Sequence, residues 1–330
     1  MAVLSTTNPT LADVAKRYDA DGKIDTIVEM LAETNEVLED MTFLEGNLPT
    51  GHRTTIRSGL PSSTWRKLNY GVQPSKSTTV QVTDTTGMLE AYAEVDKSLA
   101  DLNGNTGAFR LSEDRAFLES MNQTMANTLF YGDTGTDPEK FMGLSARYNS
   151  TSAESGDNII VGGGSGSDNT SIWLVCWGPN TCHGIYPKGS QAGLKHHDLG
   201  EVTLEDAANG KYQGYRTHYK WDIGMSVRDW RYIVRIPNID VSNLTKDASG
   251  SSAALVDLMV QAVEKLPNLN LGRCVFYGNR TVSSILRRQI TNTSNVRLSM
   301  DEVAGKRVMA FDGIPFRRND AILNDETLVS

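Results

Sequence analysis

Three features of the sequence predict an α+β fold. Tyr215, Thr217, Tyr219, Trp221, Ile223, Met225 and Val227 alternate strictly with Arg216, His218, Lys220, Asp222, Gly224, Ser226 and Arg228, the period of a long half-buried strand. Elsewhere apolar residues recur at helical spacing, as in Leu255, Leu258, Met259, Ala262, Val263 and Leu266. Between these segments there is neither a regular strand–helix–strand alternation nor an internal repeat of about 20–50 residues.

In chain order, Thr10 with Asp13 resembles a capping box, opening a short helix with Leu11, Val14, Ala15 and Tyr18 on one face. Asp21-Gly22 breaks it. A second helix carries Ile24, Ile27, Val28, Leu31, Leu38 and Met41 in a narrow stripe and Asp25, Glu29, Glu33, Glu36 and Glu39 opposite, read as a solvated acidic face. So narrow a stripe at a chain terminus is expected to pack on something outside itself. From Gly46 to Gly87, glycines and prolines punctuate polar, strand-like pieces: His52–Ser58, Trp65–Tyr70 and Thr78–Thr83. A polar hairpin of this length cannot contain its own core, so it is either a mobile loop or an arm on a neighbour. Leu89, Ala91, Ala93 and Val95 then alternate with acids and Tyr92 as a half-buried strand.

Ser112-Glu113-Asp114 opens a long helix, with acids in the first turn where the dipole favours them. Its buried face is Phe117, Met121, Met125, Thr128 and Leu129, and it ends at Gly132 before a loop to Pro138. Residues 149–170, rich in Ser and Gly, read as a linker, and Ile172–Trp177 as a buried strand. After residue 228 the apolar phase slips to Trp230, Tyr232, Val234 and Ile236, which requires a bulge or turn near Arg228-Asp229, and Pro237 closes the strand. Pro267 stops the helix of residues 255–266, Cys274–Tyr277 is a strand, and Asn279 caps a helix bearing Val282, Ile285, Leu286 and Ile290. Val308–Phe311, Ile314–Arg317 and Ala321–Leu323 finish as short strands.

Composition narrows the function. The chain has 330 residues, 39% hydrophobic and 22% charged, enough for about two folding units and unlike disordered or fibrous proteins. No run approaches the ~18 apolar residues of a membrane span, and the N-terminus lacks the basic and apolar regions of a signal peptide, so an unexported, soluble chain is expected. A net charge of −8 argues against a protein whose main task is gripping nucleic acid. Cys176, Cys182 and Cys274 are odd in number and are read as unpaired in a reducing cytoplasm.

Catalytic constellations are weak. There is no G-x-x-x-x-G-K-[ST] loop, no G-x-S-x-G elbow, no H-E-x-x-H and no C-x-x-C. Cys176, Cys182, His183, His196 and His197 are the nearest approach to a metal cluster, but their spacing matches no common zinc arrangement. Arg287-Arg288 and Arg317-Arg318 are too small as patches to imply DNA binding. No catalytic residue, cofactor or metal site is therefore assigned. The competing reading is a small-oligomer hydrolase using His183 or His196 with nearby acids.

Four stretches resemble the major capsid proteins of tailed bacteriophages, in the gp7-like group. They are Tyr131-Gly132-Asp133-Thr134-Gly135-Thr136-Asp137-Pro138 continued to Leu144; Trp177-Gly178-Pro179-Asn180 with Gly184-Ile185-Tyr186-Pro187-Lys188-Gly189; Trp221-Asp222-Ile223-Gly224-Met225 through Arg228-Asp229-Trp230 to Asp240; and Phe311-Asp312-Gly313-Ile314-Pro315-Phe316 through Leu323. The resemblance implies an HK97-like fold and a structural shell protein rather than an enzyme. Residues 1–45 would be an N-terminal arm and 46–88 an extended loop. Residues 89–245 would form a peripheral domain with a spine helix at 112–130 and an insertion near 149–170. Residues 246–305 would be an axial domain, with 306–330 returning to the peripheral domain. Hexamers and pentamers would close an icosahedral head around double-stranded DNA contacted non-specifically, without a membrane. A separate scaffolding protein, a portal protein and a decoration or cement protein are the partners implied, in a virion assembled in the host cytoplasm. Trp65, Arg66 and Tyr70 are the candidate inter-subunit contacts.

Overall fold

The computed structural model describes residues 33–102, 106–206, 208–245, 253–292, 298–303 and 306–330. The helix expected at residues 10–18 and most of the one expected from residue 24 lie outside them. The end of the second is α1 (Val37–Asp40), followed by β1 (Phe43–Glu45), β2 (Gly51–Gly59) and β3 (Thr78–Asp96). Next come α2 (Lys97–Ala100), α3 (Thr106–Tyr131), α4 (Leu144–Arg147), β4 (Asn169–Trp177), β5 (Cys182–Tyr186), β6 (Lys195–Glu205), β7 (Lys211–Val227) and β8 (Ile233–Asp240). The chain ends with α5 (Leu255–Lys265), β9 (Arg273–Gly278), α6 (Arg280–Asn292), β10 (Leu298–Val303), β11 (Lys306–Phe311) and β12 (Ile314–Arg318).

One sheet of 12 strands organises these elements, in the order β10-β11-β12-β9-β4-β5-β7-β3-β2, with β1 beside β5, β6 beside β7 and β8 beside β4. Every residue of β4 is buried, and its unbroken apolar run Ile172–Trp177 is that of a strand covered on both faces. Ile172, Leu174 and Cys176 face α5 and α6, whereas Trp173, Val175 and Trp177 face the end of α3 and α4. Alternation along one strand thus builds two cores. Val37 and Met41 are buried in the second core, so the exit of the N-terminal stripe packs on its own chain and not outside it.

The long helix starts earlier than expected. Thr106 opens α3, and Phe109, buried against Val95 and Ala100, extends the apolar stripe one step before Phe117. Glu113 and Asp114 therefore sit beyond the first turn. Met121, Met125, Thr128 and Leu129 are buried as the spacing predicts.

Alternation in β7 runs to Val227, and the phase slip falls at a turn over residues 228–232, where Asp229 accepts from Arg231 N. Pro237 does not close the following strand. It lies inside β8, where Ile236 pairs with Ile172 and Ile239 with Thr170, two residues opposing one across a bulge. The ring's missing N–H is tolerated at such a bulge, and Asn238 takes the left-handed conformation (φ 58°).

Residues 149–170 do not behave as a flexible linker. Asn158 donates to the Ile233 carbonyl at 2.9 Å, and the N–H groups of Ile160, Gly162 and Gly164 donate to Arg235, Pro237 and Asn238. A Cβ on Gly162 would stand 2.9 Å from the Asn238 carbonyl oxygen, so the glycine serves close approach. Trp65–Tyr70 and Ala321–Leu323 are irregular connections with short turns rather than strands, and the short or exposed strands β1, β5 and β6 had no periodic signal. The cysteine reading is also corrected: Cys176 and Cys274 are direct partners on β4 and β9 and form a disulfide across 98 residues. Only Cys182 remains free, and it is buried.

Candidate assembly surface

β2 and β3 form the predicted polar hairpin, in register from Gly51 opposite Thr85 to Arg57 opposite Thr79, after which a bulge brings Gly59 opposite Thr78. No residue between Thr55 and Thr83 is buried. The strands carry Thr, Arg, Ser and Gln with few large apolar residues, so the backbone ladder and contacts such as Arg53 Nε to Thr83 Oγ1 (3.2 Å) hold them together. β3 is the stiffening element. Its second half continues into the main sheet and pairs with β7 from Thr86 to Asp96, which makes the hairpin a cantilever of about 30 Å.

The cantilever has a built root. Asn47 brackets Arg53, donating to its carbonyl and accepting from its N–H, both at 2.7 Å. His52 Nδ1 accepts from Asn47 N at 3.2 Å, and its other nitrogen lies 3.4 Å from Arg228. Behind it His183 is fully buried, its ring edge-on to His52 at 5.9 Å. Asp84, opposite His52 in register, pairs with Arg147 at 2.7 Å. Burial first, and Arg228 second, hold both histidines below the ordinary imidazole range, His183 down to about 4. Both are therefore neutral at pH 7.

Beyond the root, the arm stands off its own body across an open cleft of about 990 Å³, lined by Arg53, Arg57 and Val80 on one side and Glu154, Arg228 and Trp230 on the other. Trp65, Arg66 and Tyr70 all lie in the turn region at the tip, where Asn69 takes φ 65° and Tyr70 N donates to Lys67 O. All three are exposed, Trp65 completely. Leu60 and Leu68 in the same connection between β2 and β3 are also exposed and were not singled out from the sequence. One signal could have marked the arm. Between Asn47 and Thr83 there are five cationic residues (Arg53, Arg57, Arg66, Lys67, Lys76) and no acid, in a chain of net −8.

The alternative chemistry finds no site. Cys176 is held in its disulfide, Cys182 and His183 are interior, and His196 and His197 lie on the exposed strand β6 opposite Tyr219 and His218. Among the described residues no group of three or more His, Cys, Asp or Glu is placed to hold a metal ion. Neither ring nitrogen of His183 meets a carboxylate, and no strand brings His183 and His196 together.

The family model for Major capsid protein GP7 matches residues 19–330. The cryo-EM structure of bacteriophage Epsilon15 contains a chain 44% identical to this one, over 100% of this chain and 99% of that one, with a TM-score of 0.78. The bacteriophage JBD30 capsid is 9% identical over 89% of this chain and 93% of that one (TM-score 0.48). An encapsulin complex from Synechococcus elongatus is 11% identical over 71% and 97% (TM-score 0.46). No curated protein matches.

Proposed function

The chain belongs to the major capsid protein GP7 family and forms an icosahedral bacteriophage shell with the HK97-like α+β fold, and from that premise we propose how its copies close. Hexamers and pentamers form by heterologous contacts, with residues 46–88 of each copy laid over a neighbour and Trp65, Arg66 and Tyr70 touching it. One observation carries this reading: a rigidly rooted arm exposes Leu60, Trp65, Leu68 and Tyr70 while burying nothing between residues 55 and 83. Exposed apolar residues at the end of a cantilever gain burial from another molecule.

Residues 1–45 act as the N-terminal arm, 89–245 as the peripheral domain around α3, and 246–305 as the axial domain. Residues 306–330 return to the peripheral domain, supported by Glu326 on Arg235 and Val329 N on Asn238. The role is structural and not catalytic. Scaffolding, portal and decoration proteins and non-specifically held DNA are its partners, and assembly takes place in the host cytoplasm.

Negative-stain imaging of the expressed full-length chain tests this reading. Large closed particles are expected, and replacing residues 60–77 by a short turn should leave a folded subunit that forms none. A small, discrete oligomer from the unaltered chain would contradict it.

A further inference from the structure

Cys176 and Cys274 stand opposite each other on β4 and β9, and both belong to the core beneath α5 and α6. Cys182 belongs to the core on the other face, so alternation leaves the pair without a third thiol to exchange with. The two come from different parts of the body. Cys176 lies in the stretch read above as the peripheral domain, and Cys274 lies 98 residues on, in the stretch read as the axial domain. A bond between them therefore joins the two, near the point where the connection from α5 enters β9.

The site also provides for the open pair. Cys274 Sγ lies 3.6 Å from the Leu269 carbonyl oxygen, which is placed to accept the hydrogen of a thiol there. A reduced cysteine packs as a small apolar side chain, so the surrounding core is satisfied by two thiols as well as by a bond. The ladder from Trp173 opposite Tyr277 to Trp177 opposite Arg273 holds β4 to β9 without any covalent link. The fold accepts either state.

We propose that this pair is a redox lock: two thiols while the chain folds and assembles, a disulfide once the finished particle meets a peroxide. The timing rests on the reading above, in which assembly takes place in the host cytoplasm. Thiols of an unfinished chain stay reduced there, and the pair meets only when β9 joins β4, so folding encloses it as a dithiol. Cys176 is wholly buried, and Cys274 keeps 9% exposure close to the exposed Leu269. A peroxide is small enough to reach Cys274, whereas a tripeptide thiol is not, so closing the bond is open to the environment and reducing it is not. In the first step the Cys274 sulfur takes one peroxide oxygen as a sulfenic acid, and the other oxygen leaves as water with the thiol proton. The Cys176 sulfur then attacks that of Cys274, the S–O bond breaks, and a second water leaves. The two sulfurs lose two electrons and the peroxide gains them. The bond closes a loop of 98 residues and restricts the unfolded chain, which is how it stabilises the particle.

The test weighs the full chain before and after oxidation. Cells making it are quenched in acid, and the denatured protein is alkylated with iodoacetamide; particles purified under a reductant are treated with hydrogen peroxide and alkylated in the same way. The fresh chain is expected to carry three alkyl groups and the oxidised chain one, at Cys182, with the peptides of Cys176 and Cys274 joined. Oxidation should raise the melting temperature of the unaltered particle by roughly 5 °C and leave those of Cys274→Ser and Cys176→Ala unmoved. A pair already bonded in quenched cells makes the bond a constitutive part of the fold and overturns the proposal. Thiols that survive the peroxide overturn it too, as does a bond that forms without a change in melting. A chain that forms no shell sinks the assembly reading, while the same measurements on the free subunit still decide among these outcomes for the pair.

Discussion

The Tyr277 hydroxyl donates a 2.8 Å hydrogen bond to Asp40, 237 residues away in the sequence and buried beneath the sheet. Trp177 Nε1 donates to the same hydroxyl oxygen at 2.8 Å, and Arg273 and Arg317 flank the carboxylate at 2.8 and 3.0 Å. This chain of contacts clamps the point where the N-terminal segment leaves the body onto β9, β12 and the end of β4. Burial raises the Asp40 pKa, and the hydroxyl and the two cations oppose that shift. Tyr277→Phe removes the donor to Asp40 and the acceptor for Trp177 together. It should cost the subunit about 2–3 kcal/mol, read from urea denaturation with an unchanged m-value. A loss below about 0.5 kcal/mol would show that the clamp is dispensable.

The root of the hairpin should be sensitive to acid. His183 has its pKa depressed from 6.5 to about 4, and His52 is depressed in the same direction, because burial and Arg228 disfavour the imidazolium. In the folded state the neutral ring is preferred, so the unfolded chain takes up its proton first as pH falls. The stability that His183 contributes is complete above pH 6.5 and is lost between 6.5 and about 4, amounting to about 3 kcal/mol. His183→Gln should flatten that part of the unfolding profile. An equally steep profile in the variant would place the sensitivity elsewhere.

At the arm's tip, Trp65→Ala and Tyr70→Ala remove rings that are exposed in the subunit. Subunit stability should change by no more than about 0.5 kcal/mol, while the concentration required for assembly rises roughly tenfold. This dissociation of stability from assembly is the signature of a contact completed by a neighbour. Equal assembly by both variants would leave the tip without a role.

Periodicity made much of this fold legible. β7 alternates because one face is buried, and α5 repeats at helical spacing because one stripe is buried; each pattern is local and survives without knowledge of the partner. Asn279 was readable as a cap for the same reason, and its side chain does accept from Val282 N at 2.9 Å. Features that depend on long-range pairing were not legible. Cys176 meets Cys274 only because β4 and β9 are neighbours, and Pro237 sits within a strand only because the partner strand allows a bulge. The arm's lack of a core could be read from its composition, but its root could not. His52, His183 and Arg228 come from three separate segments, and nothing in their spacing announces the meeting.

Gly162 and Gly164 illustrate the same difference, since flexibility and close packing select the same residue. Gly162→Ala would drive a Cβ to within 2.9 Å of the Asn238 carbonyl and of the Ile239 side chain. The backbone of β8 cannot retreat without disturbing β4, so a loss of about 1–3 kcal/mol is expected in thermal or chemical unfolding. A neutral substitution would restore the linker reading of this stretch.

The C-terminal residues close the body through a buried ion pair. Arg235 and Glu326 meet at 2.9 Å with both side chains almost fully enclosed, and Arg235 also donates to the Tyr148 carbonyl at 2.8 Å. Glu326 accepts from Tyr131 at 2.5 Å and from the Ser171 hydroxyl. The Arg235 guanidinium lies over the Trp173 ring at 5.0 Å, so it has no route to water. Glu326→Ala would strand this cation together with two hydroxyl donors, an arrangement that typically costs about 3–5 kcal/mol. Replacing both partners, as in Arg235→Met with Glu326→Leu, removes the charges together and should restore much of that loss. Urea unfolding of the two variants separates the alternatives, because a double variant no more stable than the single one would show that the pair is needed for its shape and hydrogen bonds rather than for mutual neutralisation.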